Sequence, residues 1–271
     1  ATLSPDGRYA SYVLNEIGRA KVWLHDLSSG KRQMVFKTGF RNAFQETDYT
    51  YPALSWSPDS KTLGILYEKQ DEIRFLRYSH ETGKTERGLL PPQFQRVYSF
   101  QFLDAGRLVM SASTDGWSDL FLYRINTRQS TRLTRDVHDD LDPVGVRLRG
   151  RPGILFSSNR RDESLLQRPL DTLPTGTFDL FFLPLDTTVS SLIRVTNSPM
   201  TNERNPQWVD TTWFSFVTDW SGIRNRGFGY LDEVFSHFNQ RIYFRDGTEV
   251  TIHQDSVLEG ASDTSLVDSV R

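Results

Sequence analysis

The segment LSWSPDSKTLGILYE, residues 54–68, places a Ser-Pro-Asp-Ser turn between a tryptophan and an apolar run. A similar segment, LSPDGRYASYV, lies near the start of the chain at residues 3–13. Proline fixes φ near the value that the second position of a type I turn requires. The side chain of the aspartate that follows the proline can accept a backbone N–H. We therefore interpret Asp6 and Asp59 as turn-capping residues rather than as carboxylates of a catalytic site. Trp56, before the turn, is predicted to pack between two structural units.

Strand-like segments recur along the chain in the same internal order. Five β-type runs are each followed by a second strand-like run, and they occupy residues 8–14, 62–68, 107–113, 153–159 and 212–218. The spacing between equivalent positions is about fifty residues, and each repeat contains about four short strands, which is typical of a β-propeller blade. A β-sandwich is the competing all-β fold, but it does not explain the repetition. The sequence predicts an all-β propeller of about five to six four-stranded blades, incomplete at the termini or closed by further chain.

The repeats also predict a domain organisation. We place the propeller at 1–253, with units near 3–38, 52–90, 98–136, 142–198 and 205–253. The first unit lacks a leading strand, which the predicted hairpin at 241–253 or material outside this chain could supply. Residues 254–271 are small and polar and are predicted to form a C-terminal tail or linker.

The repeat resembles a known family. The segments SPDGRYASYV, WSPDSKTLGILYE and NPQWVDTTWFSFVTDWSG, together with FDLFFLPL followed by IRVTNSP, resemble the TolB-type WD-like propeller repeat over about residues 3–235. The third and fourth units depart from it, with FLDAGR and RLRGRPG in place of the Ser-Pro-Asp-Gly turn. The resemblance implies a bacterial protein of the periplasm or outer membrane, or a secreted one. Related repeats also accompany peptidases, and no partner-binding motif of TolB can be transferred residue by residue.

Composition excludes several classes of function. The net charge is −2, which does not suggest a nucleic-acid partner, and the absence of cysteine excludes disulfides and thiol nucleophiles. No apolar run is long enough for a membrane-spanning helix. No G-x-S-x-G, H-E-x-x-H or phosphate-binding glycine loop occurs. We therefore expect no catalytic residues, no metal site and no cofactor in this chain.

The acidic segment RDVHDDLDP, 135–143, raises the alternative of a structural calcium ion, because Ca²⁺ prefers several oxygen ligands. Its spacing does not match a known calcium loop. We favour a loop between blades whose aspartates cap turns or pair with arginines.

The long loops predict where a partner binds. Strands of a blade alternate in direction, so the connections between second and third strands and those between blades open on one face. We call this the loop-rich face; it carries the loops 38–53, 135–143, 157–179 and 219–227. Arginine and tryptophan are enriched at interface hot spots. The predicted binding residues on this face are Arg160, Arg161, Trp220, Arg224, Asp139 and Asp140.

Three functions remain open from the sequence. The first is a non-catalytic scaffold propeller that binds a protein or peptide partner through the loop-rich face. The second is an accessory propeller of a larger serine or zinc peptidase that restricts access or positions substrate. The third is a glycosidase with carboxylates in the central channel, for which Asp142 is the clear candidate on the predicted inner strands.

Overall fold

The computed structural model describes residues 1–39, 48–148, 150–165, 174–185, 192–210, 212–231, 239–253 and 267–270. Every regular element within these ranges is a β-strand, and the strands pair in antiparallel sheets. The chain divides into two compact units, Ala1–Tyr230 and Leu231–Arg271. The first unit contains five consecutive blades, so the predicted all-β propeller fold is confirmed.

The first three blades each contain four strands in sequential order. Blade 1 comprises β1 (Thr2–Leu3), β2 (Tyr9–Glu16), β3 (Arg19–Asp26) and β4 (Arg32–Thr38). Blade 2 comprises β5 (Ala53–Trp56), β6 (Thr62–Lys69), β7 (Glu72–Ser79) and β8 (Thr85–Leu89). Blade 3 comprises β9 (Arg96–Asp104), β10 (Arg107–Ser113), β11 (Ser118–Arg124) and β12 (Gln129–Arg132).

Blade 4 has the same order, and blade 5 has three described strands. Blade 4 comprises β13 (Asp140–Leu148), β14 (Arg151–Ser158), β15 (Asp179–Pro184) and β16 (Ile193–Arg194). Blade 5 comprises β17 (Glu203–Trp208), β18 (Trp213–Thr218) and β19 (Asn225–Tyr230). The second unit is a sheet of β20 (Asn239–Phe244), β21 (Glu249–His253) and β22 (Val267–Val270), with β20 in the middle.

Both chain ends differ in detail from the sequence analysis. The first blade has its own short inner strand, β1, which pairs with β2, so the expectation that this strand is missing was wrong. The predicted hairpin at 241–253 forms from β20 and β21. Its other neighbour is β22, which lies within the predicted polar tail. The propeller boundary at residue 253 stays a prediction.

The two Ser-Pro-Asp turns have the predicted capping geometry. The Asp6 carboxylate accepts the backbone N–H of Arg8 at 3.1 Å, and Asp59 accepts that of Lys61 at 3.1 Å. The hydroxyl of Ser4, together with the Arg8 N–H, lowers the pKa of Asp6, which keeps this acceptor ionised. The turns also contact each other, since the backbone N–H of Asp6 donates to the Ser60 hydroxyl at 3.0 Å. The turn is therefore a corner of the fold and joins blades 1 and 2.

Trp56 packs between blades 1 and 2, as the sequence predicts. Its side chain is 5% exposed within a cluster of apolar residues from both blades. The indole stacks on the ring of Tyr9 at a centroid distance of 6.0 Å, and its Nε1–H donates to the hydroxyl of Ser11 at 3.1 Å. Two further clusters join blade 2 to blade 3 and blade 3 to blade 4. The core of the unit therefore lies between blades.

The inner strands of neighbouring blades are also joined by polar side chains. The hydroxyl of Ser55 on β5 accepts the backbone N–H of Phe102 on β9 at 3.3 Å. The amide oxygen of Gln101 on β9 accepts the N–H of Gly145 on β13 at 2.6 Å. The carboxylate of Asp142 on β13 accepts the N–H of Asn205 at 3.1 Å. An inner strand has one unpaired edge, and these side chains satisfy donors along it.

The first and last blades of the first unit, blades 1 and 5, retain exposed apolar faces. The second strands of blades 2, 3 and 4 are buried over most of their length, whereas β2 and β18 are only partly buried. On blade 5, Trp213 and Tyr230 are neighbours across β18 and β19 and are 48% and 63% exposed. These faces belong to the two ends of the blade series.

Replacing Trp56 with alanine is expected to destabilise the protein by about 3–5 kcal/mol, because it leaves a cavity between two blades and removes the partner of Ser11. Trp220→Ala is the matched control, since that side chain is 83% exposed and its loss should change the free energy of unfolding by less than about 0.5 kcal/mol. Urea unfolding followed by circular dichroism measures both. Equal losses in the two variants would show that Trp56 is not a core residue.

Candidate binding surface

Arg160 and Asp140 form a buried ion pair. Nη2 of Arg160 donates to both carboxylate oxygens of Asp140 at 2.7 Å, and Asp136 lies 3.2 Å from the same nitrogen. Nε of Arg160 donates to the hydroxyl of Ser158 at 2.9 Å. Arg160 is 1% exposed and Asp140 is fully buried. Both residues were predicted to bind a partner on the loop-rich face, and the structure corrects the exposure that this requires, because both side chains are buried beneath the face.

The acidic segment 135–143 is held by local contacts of the kind the sequence analysis favoured. The Asp136 carboxylate caps the turn by accepting the N–H of His138 at 2.9 Å, and the side-chain oxygen of Asn159 accepts the N–H of Asp139 at 2.9 Å. Burial raises the pKa of Asp140, and the charge of Arg160 opposes that rise. In the described part of the chain, no group of three or more histidine, aspartate or glutamate side chains could hold a metal ion. The guanidinium of Arg160 contacts the carboxylates of both Asp136 and Asp140.

Arg160→Ala is expected to destabilise the protein by about 3–5 kcal/mol, because it leaves the carboxylates of Asp140 and Asp136 buried without a counter-charge. Arg161→Ala is the matched control, since Arg161 is the adjacent residue and is exposed. Its loss should change the free energy of unfolding by less than about 0.5 kcal/mol. Thermal and urea unfolding of the two variants measure the difference. An Arg160 variant as stable as the Arg161 variant would contradict the buried ion pair.

A recurring contact explains part of the repeat motif. In blade 3, Asp119 at the start of the third strand pairs with Arg132 of the fourth strand, and the hydroxyl of Thr134 accepts the N–H of Leu120 at 2.9 Å. Blade 4 repeats the arrangement with the pair Asp179–Arg194, and the Thr196 hydroxyl accepts a backbone N–H of the third strand. The Asp-Leu-Phe and Arg-x-Thr segments of the sequence therefore join the third strand of a blade to its fourth strand. Sequence analysis noted these segments but did not connect them.

Asp119 makes the free energy of unfolding depend on pH. Burial raises its pKa to about 6, although the charge of Arg132 opposes this. An ordinary aspartate has a pKa near 3.9, so the folded protein binds more protons at this group than the unfolded chain between about pH 4 and about pH 6. The contribution of Asp119 to the free energy of unfolding therefore falls as pH rises through this window.

Asp119→Asn is expected to flatten the pH dependence of the free energy of unfolding between about pH 4 and about pH 6. Asp115→Asn is the control, because Asp115 contacts the same Arg132 at 3.0 Å but is 71% exposed at its side chain. Urea unfolding at several pH values measures the slope for each protein. If the slope of the Asp119 variant equals that of the wild type and the control, Asp119 is ionised throughout the window.

Trp220 lies at the tip of a tight turn between β18 and β19, on the loop-rich face. Its side chain is 83% exposed. The turn closes through the N–H of Gly222, which donates to the carbonyl of Asp219 at 2.8 Å, and Gly222 has a φ of +83°. The hydroxyl of Thr218 accepts the N–H of Trp220 at 3.3 Å. The exposed indole is therefore carried on a hydrogen-bonded turn rather than on an irregular loop.

Asn202, in the loop between blades 4 and 5, forms hydrogen bonds to this turn. Its backbone N–H and its side-chain amide donate to the Asp219 carboxylate at 2.7 and 2.9 Å. These hydrogen bonds lower the pKa of Asp219 and keep it ionised. The same two segments carry further exposed apolar side chains, Met200 at 92% and Ile223 at 68%. We call Met200, Trp220, Ile223 and Arg224 the Trp220 surface.

A cavity of about 250 Å³ adjoins the Trp220 surface, and Arg224 lines it. Arg204 also lines it, with its guanidinium 4.7 Å from the centroid of the Phe178 ring. Nε of Arg204 donates to the carboxylate of Asp142 at 2.7 Å. Asp142 is the residue on which the glycosidase hypothesis depends, and it is engaged in this ion pair and in the contact to β17. Its observed role is to join blades.

The six predicted binding residues therefore fall into three groups. Trp220 and Arg224 belong to one surface, and Arg160 and Asp140 are buried beneath the face. Arg161 is exposed, and its carbonyl accepts a hydrogen bond from Arg194 at 3.1 Å. Asp139 is half-buried. Part of the long insertion that led to Arg160 and Arg161, residues 166–173, lies outside the described residues.

The opposite face carries a cavity that the sequence analysis did not predict. It has a volume of about 460 Å³ and is lined by residues of all five blades, including the turn residues Pro5 and Pro58. Trp56, Phe102 and Trp208 contribute apolar surface to it. A cavity shared by the inner ends of five blades arises only when the repeats are arranged around an axis, so no local pattern in the sequence could indicate it.

Comparison with known proteins identifies the fold. No family model matches this sequence, and no curated protein matches it. Among solved structures, TolB from Acinetobacter baumannii has a TM-score of 0.60 at 15% identity, covering 84% of this chain and 50% of that one. A TolB structure from Agrobacterium tumefaciens has a TM-score of 0.57 at 20% identity, covering 92% and 78%. The chain thus has a β-propeller fold similar to that of the TolB structures, and it spans about half the length of the Acinetobacter protein.

Propellers attached to peptidases are similar as well. The propeller domain of the Trilobed protease from Pyrococcus furiosus has a TM-score of 0.56 at 12% identity, covering 88% of this chain and 69% of that one. These likenesses concern the fold and leave the TolB and peptidase alternatives both open. Over the described residues, the structure contains no helix with the length and apolar character needed to cross a membrane.

Proposed function

We propose that this chain is a non-catalytic scaffold propeller that binds a protein or peptide partner through the Trp220 surface. The observation that carries the proposal is the exposure of Trp220, 83%, on a turn that is fixed by hydrogen bonds. Exposing the apolar indole ring to water costs free energy, and covering it with a partner contributes strongly to the free energy of binding. A rigid turn also reduces the entropy lost on binding, because the side chain is already presented.

The charged groups of the loop-rich face support binding rather than catalysis. Asp142 pairs with Arg204, and Asp140 pairs with Arg160. Asp219 accepts two hydrogen bonds from Asn202. A general acid or base must reach a substrate proton, whereas these carboxylates hold loops and blades in place.

The resemblance to TolB repeats supports a location in the bacterial cell envelope. We propose the periplasm, with an outer-membrane-associated or secreted protein as the related alternatives. The partner proposed here is a protein or peptide of that compartment.

A second candidate function is an accessory propeller of a larger peptidase. The similarity to the propeller domain of the Trilobed protease favours it, as does the cavity on the face opposite the loops, which could admit an extended substrate segment. The complete gene decides between the candidates at little cost. A neighbouring domain with H-E-x-x-H or G-x-S-x-G in the appropriate structural context supports the peptidase, and its absence argues for the scaffold.

Site-specific photo-crosslinking tests the proposed surface. A benzophenone amino acid at position 220 is expected to form an adduct with the partner in the envelope of the source bacterium, and Arg224→Glu should weaken that adduct. The same amino acid at position 213 is the control, because Trp213 belongs to the same blade and is 48% exposed but lies outside the Trp220 surface. Adducts at 213 and none at 220, identified by mass spectrometry, would refute the proposed surface.

A further inference from the structure

A groove between blades 1 and 2 is lined by four cationic side chains. It has a volume of about 780 Å³ and opens at the start of β3 and at the ends of β4 and β6, on the loop-rich face. Its floor is formed by the rings of Phe36 and Tyr67, which are buried and lie 4.6 Å apart between centroids. The cations are Arg19, Lys37, Lys69 and Arg87. We call this cavity the basic groove.

The charge of the basic groove is not balanced within the described chain. Several other arginines of the described chain are paired, as in Arg74–Glu72 and Arg96–Asp48. By contrast, the described residues provide no ion pair for any of the four groove cations. Glu68 is the one acidic residue of the lining. Four cations against the carboxylate of Glu68 leave the lining net positive. A cleft in which one sign of charge predominates attracts the opposite charge, even though the whole chain has a net charge of −2.

The turns beside the groove are tight. Arg19 follows the turn Ile17-Gly18, and Lys69 precedes the turn Gln70-Asp71, and both turns have positive φ at their two central residues. Two-residue turns of this kind match the twist of the strands and hold the ends of a hairpin firmly. The backbone positions of Arg19 and Lys69 are therefore fixed before any ligand arrives.

We propose that the basic groove binds an acidic segment of a protein, in which aspartate or glutamate side chains face the four cations. The guanidinium groups of Arg19 and Arg87 can take carboxylates in a bidentate manner, and the lysines supply compact positive charge. The volume falls within the range of ligand sites in proteins. This site is separate from the Trp220 surface and does not depend on the proposed function, since none of its lining residues belongs to blade 5.

The test measures binding of a fluorescein-labelled peptide of about eight glutamates, which spans roughly 26 Å when extended. Fluorescence anisotropy is recorded at about 0.01 M and about 1 M salt, where the Debye length is about 30 Å and about 3 Å. The variant is Lys37→Glu with Arg87→Glu, both at exposed positions. The control is Lys31→Glu with Arg128→Glu, which changes the net charge equally at exposed positions outside the groove. Lys37→Gln with Arg87→Gln removes charge without reversing it, and circular dichroism verifies the fold of each protein.

The wild type is expected to bind the peptide at low salt and to lose it at high salt. The Lys37/Arg87 reversal should weaken binding by on the order of tenfold or more, the glutamine variant should be intermediate, and the control should stay within about threefold of the wild type. Equal weakening in the reversal and the control would overturn the proposal, as would absence of binding by the wild type. Binding to phosphatidylglycerol vesicles without binding to the peptide would overturn it too, and would assign the groove to a lipid surface.

Discussion

The propeller depends on how each inner strand meets the next blade. An inner strand has one edge without a strand partner, and its backbone donors would be unsatisfied if the neighbouring blade offered only apolar side chains. Here Ser55, Gln101 and Asp142 accept the N–H groups of Phe102, Gly145 and Asn205. The apolar clusters between blades supply most of the burial, and these polar contacts fix the position of each blade relative to the one before it.

The same principle builds the loop-rich face. Several of its charged residues hold the structure, as in the buried pair Arg160–Asp140 and in the contact between Asn202 and Asp219. Because these contacts fix the loops, Trp220 can stand exposed at a defined position. In the proposed binding function, polar residues therefore fix the position of the loops, and an exposed aromatic residue contacts the partner.

The fold could be predicted because each blade repeats local signals. Trp56, the Ser-Pro-Asp corners and the alternating strands are encoded within about fifteen residues, and the structure places them as expected. Arg160 and Asp140 show where such prediction ends. They are separated by twenty residues and looked like exposed loop charges, but the pairing of β13 with β14 places Asp140 opposite Ser158, where it meets Arg160 in the interior. The inner strand β1, with two residues, is also too short to produce a recognisable pattern. Sequence could place Trp220 and Arg224 on an exposed turn because a turn is a local feature, whereas their role in binding stays a prediction.

The central claim is that a rigid series of blades, joined by hydrogen bonds between their inner strands, presents a preformed binding turn. Amide hydrogen exchange followed by NMR tests it most directly, because it reports each hydrogen bond separately. The account predicts slow exchange at the amides of Phe102 and Gly145, which join the inner strands, and clear protection at the amide of Asn202, which donates to Asp219. Exchange of these three amides at the rate of an unstructured chain would contradict it.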